Sequence, residues 1–245
     1  MFRHFSRLPP ALFALLLSPH LSAQSDFGVW AEADAQFKIS KKWNVGIDAG
    51  LRTRSGLSAF DRWSIGASAE FEPVKFLSAG AGYNLQDEYK DSRTTAKGNI
   101  VDDYWRLRNR FYAQLKFKAR PSVFKLDFRA RYQLTHKSEV SIAKYSSAGI
   151  RKDNEVKEAE NDNLVRLRLA LAVKTRSPFT PQVYYELFND LADGFALTKQ
   201  RVYVGSDVRL TKRNELSVGY VRNVYAHSDA DGVHNALAIG YKFKF

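Results

Sequence analysis

An alternation of apolar and polar side chains at every second residue recurs along most of this chain, in runs too long for an ordinary soluble sheet. Side chains of an extended strand point alternately to its two faces, so this period marks strands with one greasy and one wet side. Near the start, Phe27, Val29, Ala31, Ala33, Ala35, Phe37 and Ile39 oppose Glu32, Asp34, Gln36 and Lys38. In the middle, Trp105, Leu107, Phe111, Ala113, Leu115 and Phe117 oppose Arg106, Arg108, Arg110, Tyr112, Gln114 and Lys116. The last run, Val233 to Phe245, places Leu237, Ile239, Tyr241, Phe243 and Phe245 on one side and ends on an aromatic residue. Strands of about 10 to 14 residues, against the usual 5 or 6 in soluble sheets, are long enough at a tilt near 40° to cross a hydrophobic band of about 25 Å.

Further runs lie at 43–54, 62–71, 77–86, 124–134, 165–174, 182–189, 200–210 and 215–225. Short turns are expected at Ser40–Lys42, Glu72–Lys75, Ala119–Ser122, Arg176–Thr180 and Thr211–Asn214. Longer polar links separate them at 55–60, 87–103, 136–162, 190–199 and 226–232, and the two longest read as mobile surface loops. Aromatic residues gather near the strand ends on the apolar side, among them Trp43, Trp63, Phe71, Trp105, Phe117 and Phe124, as in interfacial girdles. The expected fold is all-β: a single antiparallel transmembrane barrel of about 10 to 12 strands, with short periplasmic turns and longer extracellular loops. The runs count to an odd number, whereas single-chain bacterial barrels have an even one. Either a short strand is hidden, or the segment 26–39 threads the lumen or stays out of the wall. A soluble periplasmic sandwich or lipocalin-like barrel is the competing architecture.

Residues 1–23 read as a cleaved signal peptide, with Arg3 and Arg7 in a basic leader, an apolar core at Ala11 to Leu17 and Ala23 before the cut. Residues 24–245 are then the barrel domain. Losing two arginines and no acid takes the formal charge from +12 to +10. The chain has no cysteine, which excludes disulfides, thiolate metal sites and a lipidated anchor. Nothing approaches 18 consecutive apolar residues, so helical membrane spans are excluded as well. A mean hydropathy of −0.39 fits a barrel, because half of each strand faces a polar interior.

Several stretches resemble the DUF2490 family of predicted outer-membrane barrels. They are Phe27-Gly28-Val29-Trp30, Arg106 to Phe111, Pro181 to Phe188, Gln200 to Gly205, and the closing part with Leu216 to Tyr220, His234 and Gly240 to Phe243. The resemblance spans essentially the whole mature chain. It implies a fold and an outer-membrane location in a Gram-negative bacterium, and brings no catalytic residues.

The candidate chemistry is an inward ladder of Arg106, Arg108, Arg110, Arg129, Arg131, Arg166 and Arg168, joined by Arg201, Glu186 and His234. Guanidinium groups stay charged and bind carboxylate or phosphate in bidentate fashion, so such a lumen would favour anions. Inward acids (Glu32, Asp34, Asp48, Glu70, Asp127, Glu186, Asp207, Glu215) could instead pair with the arginines and close the barrel into a packed structural core, leaving surface interactions to the loops 87–103 and 136–162. A lipid hydrolase is the third reading, since His136 and Ser138 share the lipid-facing parity, but no orienting partner or oxyanion donor is legible. His227 reads as a loop residue and His234 as a lumen hydrogen-bonder to a carboxylate. No enzyme activity, metal or cofactor is expected. The expected partners are outer-membrane lipid and lipopolysaccharide, the barrel-insertion machinery through Phe245, and small anionic solutes; nucleic acid is not among them.

Overall fold

The computed structural model describes residues 25–226 and 233–245; the expected signal peptide and His227 lie outside them. The described strands are β1 (Ser25–Lys38), β2 (Trp43–Arg54), β3 (Ala59–Val74), β4 (Leu77–Lys90), β5 (Arg93–Thr94), β6 (Ile100–Val101), β7 (Tyr104–Ala119) and β8 (Phe124–Lys137). After them come β9 (Val140–Tyr145), β10 (Arg151–Lys157), β11 (Glu160–Val173), β12 (Phe179–Asp190), β13 (Ala196–Arg209), β14 (Asn214–Tyr225) and β15 (Val233–Lys244). Eleven of them, each 12 to 16 residues long, close into a barrel in the order β1-β15-β14-β13-β12-β11-β8-β7-β4-β3-β2. The short turns fall where the alternation breaks. Ser40 Oγ, for example, accepts from the backbone N–H groups of Lys42 (3.2 Å) and Trp43 (3.1 Å), which holds the chain in its reversal.

The odd strand count is real, and its explanation differs from both expected ones. β1 is a full member of the wall and pairs in parallel with β15, from Ser25 opposite Val233 to Gln36 opposite Lys244. Every other neighbouring pair of the barrel is antiparallel. An odd number of up-and-down strands can close only through one parallel pair, and no turn tethers it. The C-terminal residue reinforces this seam: Phe245 N–H donates to Gln36 O at 2.8 Å, and its ring stacks on Phe37 with centroids 4.2 Å apart.

The two longest links are also more ordered than their composition suggests. β5 and β6 from one, with β9 and β10 from the other, make a four-stranded sheet at the long-loop end, in the order β10-β9-β6-β5. Its core is the buried pair Val101 and Ile142. Glu155 of β10 joins Arg93 of β5 and Lys157. Burial raises the Glu155 carboxyl, but the hydrogen bond from Lys157 and the charge of Arg93 outweigh it and hold the group below the ordinary glutamate range.

Burial is inverted relative to a soluble protein. Ile65 and Leu169, at mid-strand on the outer face, are 55% and 57% exposed, while Glu186 inside is 1% exposed. A wall that shows aliphatic side chains outward all round and hides ionised ones needs hydrocarbon outside it. Inside, Tyr203 packs with Val221 and Ala236 against Trp30, Tyr184 and Ala238. Its ring stacks on Tyr184 at 4.8 Å and lies over Gly219, where an added Cβ would sit 2.5 Å from ring carbons. Gly219→Ala should therefore push Tyr203 off its stack and cost roughly 1–3 kcal/mol. The unboiled protein should lose its compact gel mobility at a lower temperature; an unchanged transition would show that the ring relocates freely.

Candidate functional site: the charged lumen

Six of the eight arginines expected to form one ladder divide into two groups. The first is gathered round a single carboxylate. Glu186 lies at the centre of three guanidinium groups: Arg129 donates through Nη2, Arg166 through Nε (3.2 Å) and Nη2 (3.0 and 3.1 Å), and Arg201 Nη1 lies 3.6 Å away. Neutral partners complete the shell. Gln133 Oε1 accepts from Arg166 Nη1 at 2.9 Å and Asn223 Oδ1 from Arg201 Nε at 2.8 Å. Phe188 lies under the guanidinium groups of Arg166 and Arg201, and the Lys199 ammonium group lies 4.0 Å from the same ring. Gln133, Glu186, Phe188 and Asn223 are all buried, so this level of the lumen is filled with side chains along the β8–β14 wall.

Arg106 and Arg108 leave the ladder altogether. Arg106 turns to the long-loop rim, donating to Glu160 Oε1 (2.9 Å), Ser138 O (3.0 Å) and Glu158 O (2.6 Å). Arg108 pairs with Glu88 on the neighbouring β4. His234 meets the Tyr225 ring edge-on, with centroids 5.4 Å apart.

The second group keeps its charge available. Arg110 Nε makes a long hydrogen bond of 3.4 Å to Thr135 Oγ1. Arg131 donates from Nε (3.0 Å) and Nη2 (2.6 Å) to the neutral Gln114 Oε1 and lies 3.9 Å from the Tyr112 ring centre. Arg168 lies 4.9 Å from the Tyr184 ring centre. None of these three forms an ion pair among the described residues.

These groups border a chamber of about 850 Å³ that runs from the Glu186 cluster toward the short-turn end. Ten basic and eight acidic side chains line it, so the lumen is nearly balanced and most of the chain's positive excess lies elsewhere. Glu70 is neutralised by Lys116 and Lys118, and Glu32 by Arg52 at 3.3 Å. Asp34 of β1 and Asp48 of β2 make no ion pair among the described residues; Asp48 accepts only an Asn84 amide, at 3.2 Å.

On the outer face, His136 Nδ1 meets Asn161 Oδ1 at 2.9 Å, an orienting amide that alternation alone does not reveal. Ser138 makes no hydrogen bond to His136, and its backbone N–H is committed to Leu107 O at 2.9 Å. A nucleophile with neither its base in contact nor its own amide free to stabilise an oxyanion lacks two of the roles of acyl transfer. Among the described residues, no group of three or more histidines and carboxylates is placed to hold a metal ion.

Closed wall, inverted burial and polar interior together define a β-barrel of the outer-membrane type. Three solved barrels share this fold. The translocator domain of the autotransporter NalP from Neisseria meningitidis superposes with a TM-score of 0.63 at 16% identity, over 90% of this chain and 85% of that one. For the β domain of the Bordetella autotransporter BrkA the values are 0.61, 16%, 86% and 87%. For the NanC porin they are 0.51, 14%, 91% and 100%. No curated protein matches by sequence. The chain belongs to DUF2490, described as a protein of unknown function, whose family model matches residues 27–234.

Proposed function

We propose that this protein is a non-enzymatic, integral outer-membrane barrel of a Gram-negative bacterium, shut toward the outside by the Glu186 cluster and holding a solute-binding chamber open toward the periplasm. Residues 1–23 would direct its export, and the aromatic C-terminus at Phe245 would present it to the insertion machinery. Its outer surface would be covered by lipid, with Lys90, Arg93, Lys97 and Lys137 near the lipopolysaccharide phosphates. The observation that carries the reading is a carboxylate 1% exposed among three guanidinium groups: such a cluster excludes water from the lumen at its level. In planar bilayers, purified protein should then conduct in rare, small steps only. Steady ohmic conductance would overturn the closure.

A second reading, a narrow anion-preferring passage, is favoured by one observation: Arg110, Arg131 and Arg168 have no carboxylate partner among the described residues. It requires chloride to carry the current whenever the barrel conducts, and cation-selective steps would end it.

The catalytic alternative makes the opposite forecast for lipid. In detergent–phospholipid micelles the protein should release no fatty acid above background, and His136→Ala should behave identically. Release by the wild type that His136→Ala abolishes would establish a hydrolase on the outer wall.

A further inference from the structure

Among the described residues, the strand order places four of the six unpaired charges of the chamber on opposite walls, with Asp207 of β13 and Arg110 of β7 lying between them. β1 lies five strands from β11 in one direction round the barrel and five from β8 in the other, so it faces that pair across the lumen. Asp34 stands on β1 and Asp48 is its register partner on β2. Arg131 stands on β8 and Arg168 on β11. All four line the same chamber. Lys242, the register partner of Asp34 on β15, is directed to Glu215, 3.8 Å away, and makes no close ion pair with the aspartate.

Resting on the chamber reading above, we propose that the chamber binds small zwitterionic solutes, with a carboxylate or phosphate end on Arg131 and Arg168 and an ammonium end on Asp34 and Asp48. Two further features support this. Asp34 Oδ1 and Arg129 Nε are buried without a hydrogen-bond partner among the described residues, one on each side of the chamber. Buried polar atoms of native proteins are nearly always satisfied, and an unsatisfied pair of opposite sign marks where a dipolar guest would add its own donor and acceptor. The guanidinium groups of Arg131 and Arg168 also rest on the rings of Tyr112 and Tyr184, which fixes them in place and keeps part of their donor edge for a ligand. A field directed across the chamber rewards a solute that carries both charges. A simple anion satisfies one wall and leaves the other wall's carboxylates desolvated, and a simple cation does the reverse.

The test is calorimetric titration of the full barrel in a non-ionic detergent. The probes are glycine, 4-aminobutyrate and 6-aminohexanoate, each compared with a length-matched carboxylate and a length-matched alkylammonium ion. At least one amino acid should bind about tenfold or more tightly than both matched ions, as expected of a second charge anchor worth about 1.4 kcal/mol. Asp34→Asn with Asp48→Asn should erase the advantage over the carboxylate, and Arg168→Gln should erode the advantage over the ammonium ion. Unboiled gel mobility would verify that each variant is folded. A carboxylate that binds as well as its amino acid, or a preference untouched by the aspartate changes, overturns the zwitterion assignment while the chamber reading stands. Binding of none of the probes overturns both.

Discussion

Glu186→Gln should be the most destabilising single substitution inside the barrel. Glutamine keeps the volume and one acceptor oxygen, so the change isolates charge from packing. It leaves Arg129, Arg166 and Arg201 crowded together and buried with no countercharge. Breaking a buried ion pair by removing one partner costs roughly 3–5 kcal/mol, because the abandoned charge stays desolvated. Three abandoned charges in mutual repulsion put the expected loss at the upper end of that range. The measurement is the denaturant midpoint of the detergent-solubilised barrel, followed by heat-dependent gel mobility. Adding Arg201→Gln to Glu186→Gln should recover part of the loss, since one repelling charge goes and Asn223 and the new glutamine can bond to each other. Residues in one network show such non-additivity, and residues without contact do not. A Glu186→Gln barrel as stable as the wild type would mean that water already reaches the cluster, and the closed lumen would fall with it.

What can be read from the sequence follows physical range. A strand's facing is a local property, so the outward apolar and inward charged sets are legible residue by residue, and Glu186, Asp34 and Asp48 all fall on the inward parity of their strands. Which charges meet is not local. Arg129 reaches Glu186 over the intervening β11, and Arg201 meets it from β13, so the hub depends on curvature and side-chain reach that alternation does not encode. The same holds for Asn161, which meets His136 across a link that itself holds two strands. The loop sheet escapes the alternation for a compositional reason. Its core pair, Val101 and Ile142, sits inside segments rich in Asp, Lys, Ser and Asn, and the β6–β9 pairing joins two separate links. The odd strand count is visible in the sequence, but the way it closes is not, because a parallel pair with no connecting turn leaves no sequence signal.

That closure leads to the second large effect. The chain has no native cysteine, so an introduced pair reports on one contact alone. Ala31 lies opposite Ile239 in the parallel register of β1 with β15. Ala31→Cys with Ile239→Cys should therefore oxidise almost completely to a disulfide within the folded monomer. The bond would join residues at the two ends of the wall, closing a loop of about two hundred residues. In the chain-entropy account, a loop of that size stabilises by about 5 kcal/mol, which is large for a seam held only by evenly slanted parallel hydrogen bonds and no turn. The oxidised barrel should keep its compact mobility well above the temperature at which the reduced one opens. Ala35→Cys with Leu237→Cys is the control: Ala35 is opposite Phe243, six residues along β15 from Leu237, and that pair should stay reduced. If both pairs cross-link equally, β1 slides on β15 and the register is not fixed. If neither does, β1 does not close the wall, and Asp34 loses its place opposite Arg131 and Arg168.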